Sequence, residues 1–311
     1  MQRKIFTIIL PLALLLLIGG LAFAGNYFYE YALVPPRHER APGVPEDVVE
    51  EISSTLDQQA KEQWITENAQ DVWLHSSDGL QLHAYRADQP GNRYAIVVHG
   101  YTSDSQNMAN FAKHFYNRGF SVLLPDLRGH GQSEGAYVGM GWHDRLDMLA
   151  WIDTLILDDP TAEILLLGVS MGGATVMMTS GETLPENVKL IIEDCGYTSV
   201  WDEFSGQLKE QFGLPPFPFL HAASVVTKLR AGYWLSEASA VKQVEKSITP
   251  MLFIHGADDD YVPFEMLDIL YAAATCEKEK LVIPGAGHGT ASSVDPEGYW
   301  SAVDTFVDRY M

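Results

Sequence analysis

The pentapeptide Gly168-Val169-Ser170-Met171-Gly172 constrains this chain more than any other segment. It follows the apolar run Ile164 to Leu167 and leads into the helix-like stretch Ala174 to Met178. Strand, Gly-x-Ser-x-Gly turn and helix in that order describe a nucleophile elbow. So tight a turn holds its serine in a strained backbone conformation. Larger residues on either side would collide, hence the flanking glycines. The hydroxyl then stands clear of the C-terminal edge of a sheet, with its neighbour's N–H facing any developing oxyanion. A structural turn would account for the pentapeptide taken alone, because Gly and Ser are common in loops.

A serine hydroxyl is a poor nucleophile at neutral pH and needs a base, which in turn needs an orienting acid. Two later apolar runs end in loops with that chemistry. Met251 to Ile254 leads into His255-Gly256-Ala257-Asp258-Asp259-Asp260-Tyr261-Val262-Pro263, and Lys280 to Ile283 into Pro284-Gly285-Ala286-Gly287-His288-Gly289. Among ten histidines, His288 alone combines a late strand end with a glycine-flanked loop long enough to reach back over Ser170. Three adjacent aspartates leave the acid open between Asp258, Asp259 and Asp260. Carboxylates in a row also suit calcium, but EF-hand spacing and its glycine are missing, so no metal is expected.

From about Trp73 to the C-terminus the chain resembles the α/β-hydrolase superfamily. Val97-Val98-His99-Gly100-Tyr101 resembles that family's oxyanion loop, and Asp126-Leu127-Arg128-Gly129-His130-Gly131-Gln132-Ser133-Glu134-Gly135 its Asp-x-Arg-Gly-x-Gly-x-Ser loop. Glu193-Asp194-Cys195-Gly196-Tyr197-Thr198-Ser199-Val200-Trp201 and the N-terminal apolar segment resemble a bacterial group of membrane-anchored serine hydrolases. The family pattern His-Gly-x-x-Asp-x-x-Val-Pro, laid on His255 to Pro263, selects Asp259. The resemblance implies structural roles for His99 and His255, and His130 reads as part of a glycine-rich turn. It implies Ser170 as nucleophile, His288 as base and Asp259 as the group fixing the imidazole tautomer. The backbone N–H groups of Tyr101 and Met171 would stabilise the oxyanion, at about 3 kcal/mol per donor in comparable sites. No cofactor is required. Haloalkane dehalogenases and epoxide hydrolases, which share this fold, need an aspartate where Ser170 stands.

Acidic residues number 41 against 20 basic ones, a net charge of −21. That balance argues against nucleic-acid binding, which relies on basic patches. Cys195 and Cys276 form neither a disulfide framework nor a metal-ligand spacing. Arg3 and Lys4 precede an apolar segment from Ile5 to Ala24, about long enough to cross a bilayer as a helix. Tyr27, Phe28, Tyr29 and Tyr31 fit an interfacial aromatic belt. Ala22-Phe23-Ala24 before Gly25 also looks like a signal-peptidase site. The expectation is an uncleaved anchor over residues 1–25, with the N-terminus inside and the hydrolase outside the cytoplasm. The alternative is secretion after cleavage.

Val34-Pro35-Pro36 and Ala41-Pro42-Gly43-Val44-Pro45 mark a linker. Glu46 to Trp64 reads as an amphipathic helix with Val49, Ile52 and Leu56 at helical spacing. Linker and flanking helix together occupy 26–66, and the hydrolase domain 67–311. Strands are expected at Asp71 to His75, Leu80 to Tyr85, Tyr94 to His99 and Phe120 to Leu124, and helices around Gln106 to Asn117 and His143 to Leu157. The resulting fold class is α/β, a mostly parallel sheet with helices on both faces and antiparallel edge strands. Alternation breaks over 197–247, where hydrolases of this type insert a lid. Its apolar residues, from Phe212 to Leu220 and including Tyr233 and Trp234, either cover Ser170 as an acyl pocket or pack the insertion onto the core.

These features point to a serine hydrolase of carboxylic esters with an apolar acyl group, acting on a small-molecule or lipid-like ester. A peptidase or amidase with the same triad is the alternative. A surface-anchored binding protein without catalysis is a third, and it would be expected to lack one of Ser170, Asp259 and His288.

Overall fold

Strands that are apolar along their whole length need cover on both faces, and that requirement shapes this chain. The computed structural model describes residues 2–34 and 55–311. Its centre is formed by β3 (Arg93–Val98), β4 (Ser121–Pro125), β5 (Glu163–Val169), β6 (Val188–Asp194) and β7 (Met251–Gly256), buried almost end to end. With β1 (Gln70–His75), β2 (Gln81–Ala87) and β8 (Lys278–Ile283) they make an eight-stranded sheet in the order β1-β2-β4-β3-β5-β6-β7-β8. β1 pairs antiparallel with β2, and β2 antiparallel with β4; the remaining neighbours are parallel. The mostly parallel sheet with an antiparallel edge is therefore as expected. The two edge strands, β1, which is mostly exposed, and β8, which is mostly half-buried, lie outside the rule for buried strands.

Residues on one strand point alternately to two separate cores. Ile96, Val98, Ile164 and Leu166 join one, Val97, Leu165, Leu167 and Ile192 the other. The first is covered by α4 (Asp144–Asp158) and α5 (Met171–Ser180), through Met148, Trp151 and Met177. The second is covered by α3 (Ala109–Asn117) and the C-terminal helix Pro296–Tyr310, through Phe115 and Phe306. Helix α2 (Thr55–Asn68) flanks the second core, with Trp64 edge-on to Tyr116 at 5.6 Å. The expected helix from Glu46 falls outside the described residues up to 54, as do the prolines of the linker. The described helix extends past Trp64 to Asn68.

Between β6 and β7 lie three helices, α6 (Val200–Phe212), α7 (Pro216–Ala231) and α8 (Ala240–Val244), and no strand of the sheet. Ser199 caps α6 by accepting a hydrogen bond from the Asp202 N–H, and Gly213, at φ 65°, closes the same helix in the left-handed conformation. Ser239 caps α8 in the same way, through the Lys242 N–H.

The N-terminal helix departs from expectation. α1 runs unbroken from Gln2 to Leu33, through the Ala22-Phe23-Ala24 stretch, instead of giving way to linker at 26. Its residues from Leu10 to Ile18 are exposed, whereas Gly25, Tyr29 and Leu33 are buried against α7 and the core. Gly25 permits this contact, because a Cβ there would lie 2.6 Å from the Ala222 carbonyl oxygen. Arg230 of α7 pairs with Glu30, donates to Asn26 Oδ1 at 3.0 Å and stacks over the Tyr29 ring at 4.3 Å. The Leu33 carbonyl then accepts from the Val138 N–H at 2.7 Å, so the helix ends docked in the domain. Gly25→Leu should push α1 off α7 and lower the melting temperature of the full-length protein, by roughly 2–4 °C per kcal/mol lost. Calorimetry would check this; an unchanged transition would show that the close approach carries no stability.

Candidate active site

The last residue of β5 feeds directly into Ser170, which has φ 58° and ψ −118°. A non-glycine residue at positive φ is strained by about 1–3 kcal/mol and persists only where its surroundings over-determine it. Here they do. A Cβ on Gly168 would lie 2.1 Å from the Gly172 carbonyl oxygen, and one on Gly172 2.2 Å from that of Val98. The Ser170 N–H donates to the Asp194 carbonyl at 2.8 Å, tying the turn to the end of β6.

From the neighbouring strand ends come the other expected residues. Ser170 Oγ lies 2.8 Å from His288 Nε2, and His288 Nδ1 lies 2.8 Å from Asp259 Oδ2. With Nδ1–H donating to the carboxylate, Nε2 is left as acceptor for the serine proton. The other oxygen, Asp259 Oδ1, accepts from the N–H groups of Tyr261 at 3.1 Å and Val262 at 3.0 Å. Asp258 and Asp260 on either side point outward and are exposed, while Asp259 is buried. Burial works against ionising Asp259, but hydrogen bonds from His255 and His288 outweigh it and leave the carboxyl at about 2. It is a carboxylate throughout the neutral range.

The loop that follows β3 runs beside Ser170. A Cβ on Gly100 would be 3.4 Å from the Ser170 Cβ, which places the following residue, Tyr101, next to the hydroxyl. Met171 opens α5, so its N–H has no acceptor within the helix. The Tyr101 phenol donates to the Ala32 carbonyl at 2.9 Å, joining this loop to the end of α1.

The other histidines in motifs brace these loops. His99 donates from Nδ1 to the Gly100 carbonyl at 2.7 Å and accepts at Nε2 from the Leu127 N–H at 3.0 Å. Burial lowers its pKa, consistent with that neutral tautomer. Burial also takes His130 down to about 3. Asp126 accepts from the N–H groups of Ser105 and Gln132, both at 2.9 Å, and pairs with His83 at 2.7 Å. The Asp126–Gly135 segment is thereby tied to β2 and Ser105, and none of its residues lines the cleft at Ser170.

His255 has a closer connection to Asp259 than its motif indicates. Its Nε2 lies 2.9 Å from the Val262 carbonyl and 3.3 Å from Asp259 Oδ2. A histidine near a strand end, four residues before an aspartate in the following loop, carries no residue-level signal for this contact. Beneath it Glu193 is fully buried, and desolvation pushes its carboxyl up to about 8. Cys195 is a buried free thiol whose pKa burial raises; its sulfur lies within 4.8 Å of ligand atoms of Asp259 and His288. A protonated thiol beside two side chains already bonded to each other is a poor donor set for a metal.

Ser170 opens onto an apolar cleft. Phe204, Phe212 and Leu220 of the inserted helices line it, and so do Phe28, Tyr31 and Ala32 of α1. The aromatic residues after Ala24 suit a membrane interface by composition, and nothing in their spacing marks them as pocket wall. One acidic residue lines the cleft among the described residues, Glu203.

Residues 90–207 match a family model described as serine aminopeptidase, S33. YqkD of Bacillus subtilis is 28% identical over 242 residues, covering 76% of this chain and 78% of that protein. The α/β hydrolase domain-containing protein WAV2 of Arabidopsis thaliana is 25% identical over 252 residues, covering 78% and 79%. Among solved structures, the Pyrococcus furiosus esterase Pf2001 superposes with a TM-score of 0.66 at 21% identity, over 90% of this chain and 99% of that one. An acylaminoacyl peptidase from Pyrococcus horikoshii gives 0.57 at 16%, over 78% and 41%. The sheet order, the serine turn between β5 and α5 and these likenesses agree, and the chain has the α/β-hydrolase fold.

Proposed function

We propose that this hydrolase cleaves carboxylic esters with an apolar acyl group, using Ser170, His288 and Asp259 as its triad. The observation that carries the reading is the unbroken hydrogen-bonded chain from Ser170 Oγ through His288 to Asp259 at the mouth of an apolar cleft. Ser170 Oγ attacks the carbonyl carbon as His288 Nε2 takes its proton, and the carbonyl oxygen becomes an oxyanion facing the N–H groups of Tyr101 and Met171. Collapse breaks the bond to the alcohol oxygen, which leaves with the proton from His288. Water then attacks the acyl carbon as His288 takes its proton, and collapse breaks the bond to Ser170 Oγ, which regains the proton from His288 as the acid leaves. No cofactor enters these steps.

The cleft favours an acyl chain over a charged peptide terminus. Burial raises Glu203 to about 8, so the one carboxyl in the lining is neutral at pH 7 and hydrogen-bonded by Gln207 at 3.1 Å. A peptidase or amidase reading draws on the match to a serine aminopeptidase model, since the same triad serves amides. Amide and ester panels run side by side separate the two.

For α1 the proposal is an uncleaved membrane anchor, with the catalytic domain outside the cytoplasm. Support comes from the helix continuing through Ala22–Ala24 into its docked half, which leaves no extended segment for a signal peptidase.

A fluorophosphonate should label Ser170 and no other serine, as read by peptide mass spectrometry; labelling elsewhere would displace the nucleophile. Ser170→Ala and His288→Ala should each lower kcat by roughly 10⁴-fold or more with folding intact. Asp259→Asn should lower it by about 10³–10⁴-fold, whereas Asp258→Asn and Asp260→Asn stay within about twofold. The reverse ranking would assign the acid to another aspartate.

Glu203 makes a separate prediction. Its folded pKa of about 8 stands above the ordinary 4.5. Folded protein therefore holds a proton that unfolded protein releases, and the stability from this group is full below about 4.5 and lost as pH rises through about 8. Glu203→Gln should flatten the fall in melting temperature between about pH 5 and about pH 8; an unaltered slope would show that Glu203 ionises normally.

A further inference from the structure

The helix that carries the apolar N-terminal segment is the same helix that walls the substrate cleft. Leu10 to Ile18 and Phe23 are exposed, and within about 7.5 Å along the axis from Phe23 comes Phe28, which lines the cleft beside Ser170. Ala32, one turn further, also lines it, and its carbonyl accepts from Tyr101 of the oxyanion loop. A helix that passes straight from an exposed apolar rod into a pocket wall fixes where the pocket sits relative to whatever the rod occupies.

The end of the lid nearest that rod has the same character. α7 meets α1 at Ala222, against Gly25, and the rings of Phe212 and Phe219 lie 5.3 Å and 6.2 Å from Phe28. From Gln211 to Thr227 there is no Asp, Glu, Lys or Arg in a chain that is 20% charged overall. Phe217 and Val225 in this stretch are exposed, by 72% and 46%. The chain as a whole carries a net charge of −21 and this stretch carries no cation from Lys or Arg, so contact here with an anionic surface would have to be apolar.

We infer that the cleft takes the acyl chain of an ester resident in the bilayer, which reaches Ser170 sideways along α1 and the uncharged end of the lid. The substrate class is a membrane-dissolved long-chain acyl ester. This rests on the esterase and anchor readings above, and it adds that the anchor selects the substrate as well as holding the enzyme. α1 supplies the wall against which the chain lies, and Phe217 and Val225 dip into the same leaflet.

The test uses the full-length protein in phosphatidylcholine vesicles with two esters, 4-methylumbelliferyl oleate dissolved in the bilayer and water-soluble p-nitrophenyl butyrate. Phe217→Glu/Val225→Glu alters neither the triad nor the cleft lining. It should lower oleate turnover about tenfold while butyrate turnover stays within about twofold. Ala32→Phe fills the cleft from the α1 side and should lower the oleate-to-butyrate ratio by about tenfold. Oleate turnover unchanged in the double variant overturns the proposal, including the case where that variant instead disrupts a dimer seen by light scattering. Equal loss on both esters also overturns it, in favour of a lid that only shapes the site. An unchanged ratio in Ala32→Phe removes α1 from the pocket wall. Wild-type protein that labels with fluorophosphonate and hydrolyses butyrate but not oleate refutes the bilayer route alone. Wild-type protein that does neither removes the esterase reading with it.

Discussion

Everything at the site hangs on the contact of Gly172 with the end of β3. A side chain there would meet the Val98 carbonyl at 2.2 Å, so bare backbone lies against bare backbone. This contact lets α5 start immediately after β5, and that abrupt start leaves Ser170 at φ 58°. The strain is small beside the packing that enforces it, because Met177 and Leu166 bury the helix and the strand on the same core. Once the serine is placed, the positions of its partners follow from the sheet. β7 and β8 are parallel to β5 and end at the same edge, so the loops bearing Asp259 and His288 emerge where the hydroxyl stands.

Burial and hydrogen bonding divide the acids of this region into two kinds. Asp259 receives N–H donors from Tyr261 and Val262 and two imidazole contacts, and it remains ionised despite being out of water. Glu193 and Glu203 each accept a single donor, the Gly196 N–H and the Gln207 amide, and desolvation carries both to about 8. The same residue class therefore serves as a fixed negative charge in one place and as a neutral polar group in two others. The distinction follows the number of donors aimed at each carboxyl.

α1 joins two parts of the protein that appear separate along the chain. Over Leu10–Leu33 it is long and apolar enough to cross a membrane, and the docked part of that same span contributes to the cleft and accepts a hydrogen bond from Tyr101. Helix, lid and loop are thereby coupled mechanically. Displacing α1 would disturb Tyr101 as well as the wall of the cleft.

Much of this was legible in the residues themselves. The alternating apolar runs foretold a parallel sheet because a buried strand must be apolar on both faces. The glycine pair around Ser170 marked its turn because a Cβ at either position would collide with backbone, and Gly289 after His288 marked that loop through its left-handed conformation. Asp259 was set apart from Asp258 and Asp260 by resemblance to a motif, and residue type alone could not have done so. Tertiary structure decided the rest, because it depends on contacts between residues far apart in sequence. Tyr31 bonds to Gln211, 180 residues further along the chain, and Phe28 packs on Phe212. His255 reaches Asp259 only because the loop folds back on β7. No local pattern encodes the angle at which α1 crosses α7, and that angle turns an N-terminal apolar helix into part of the site.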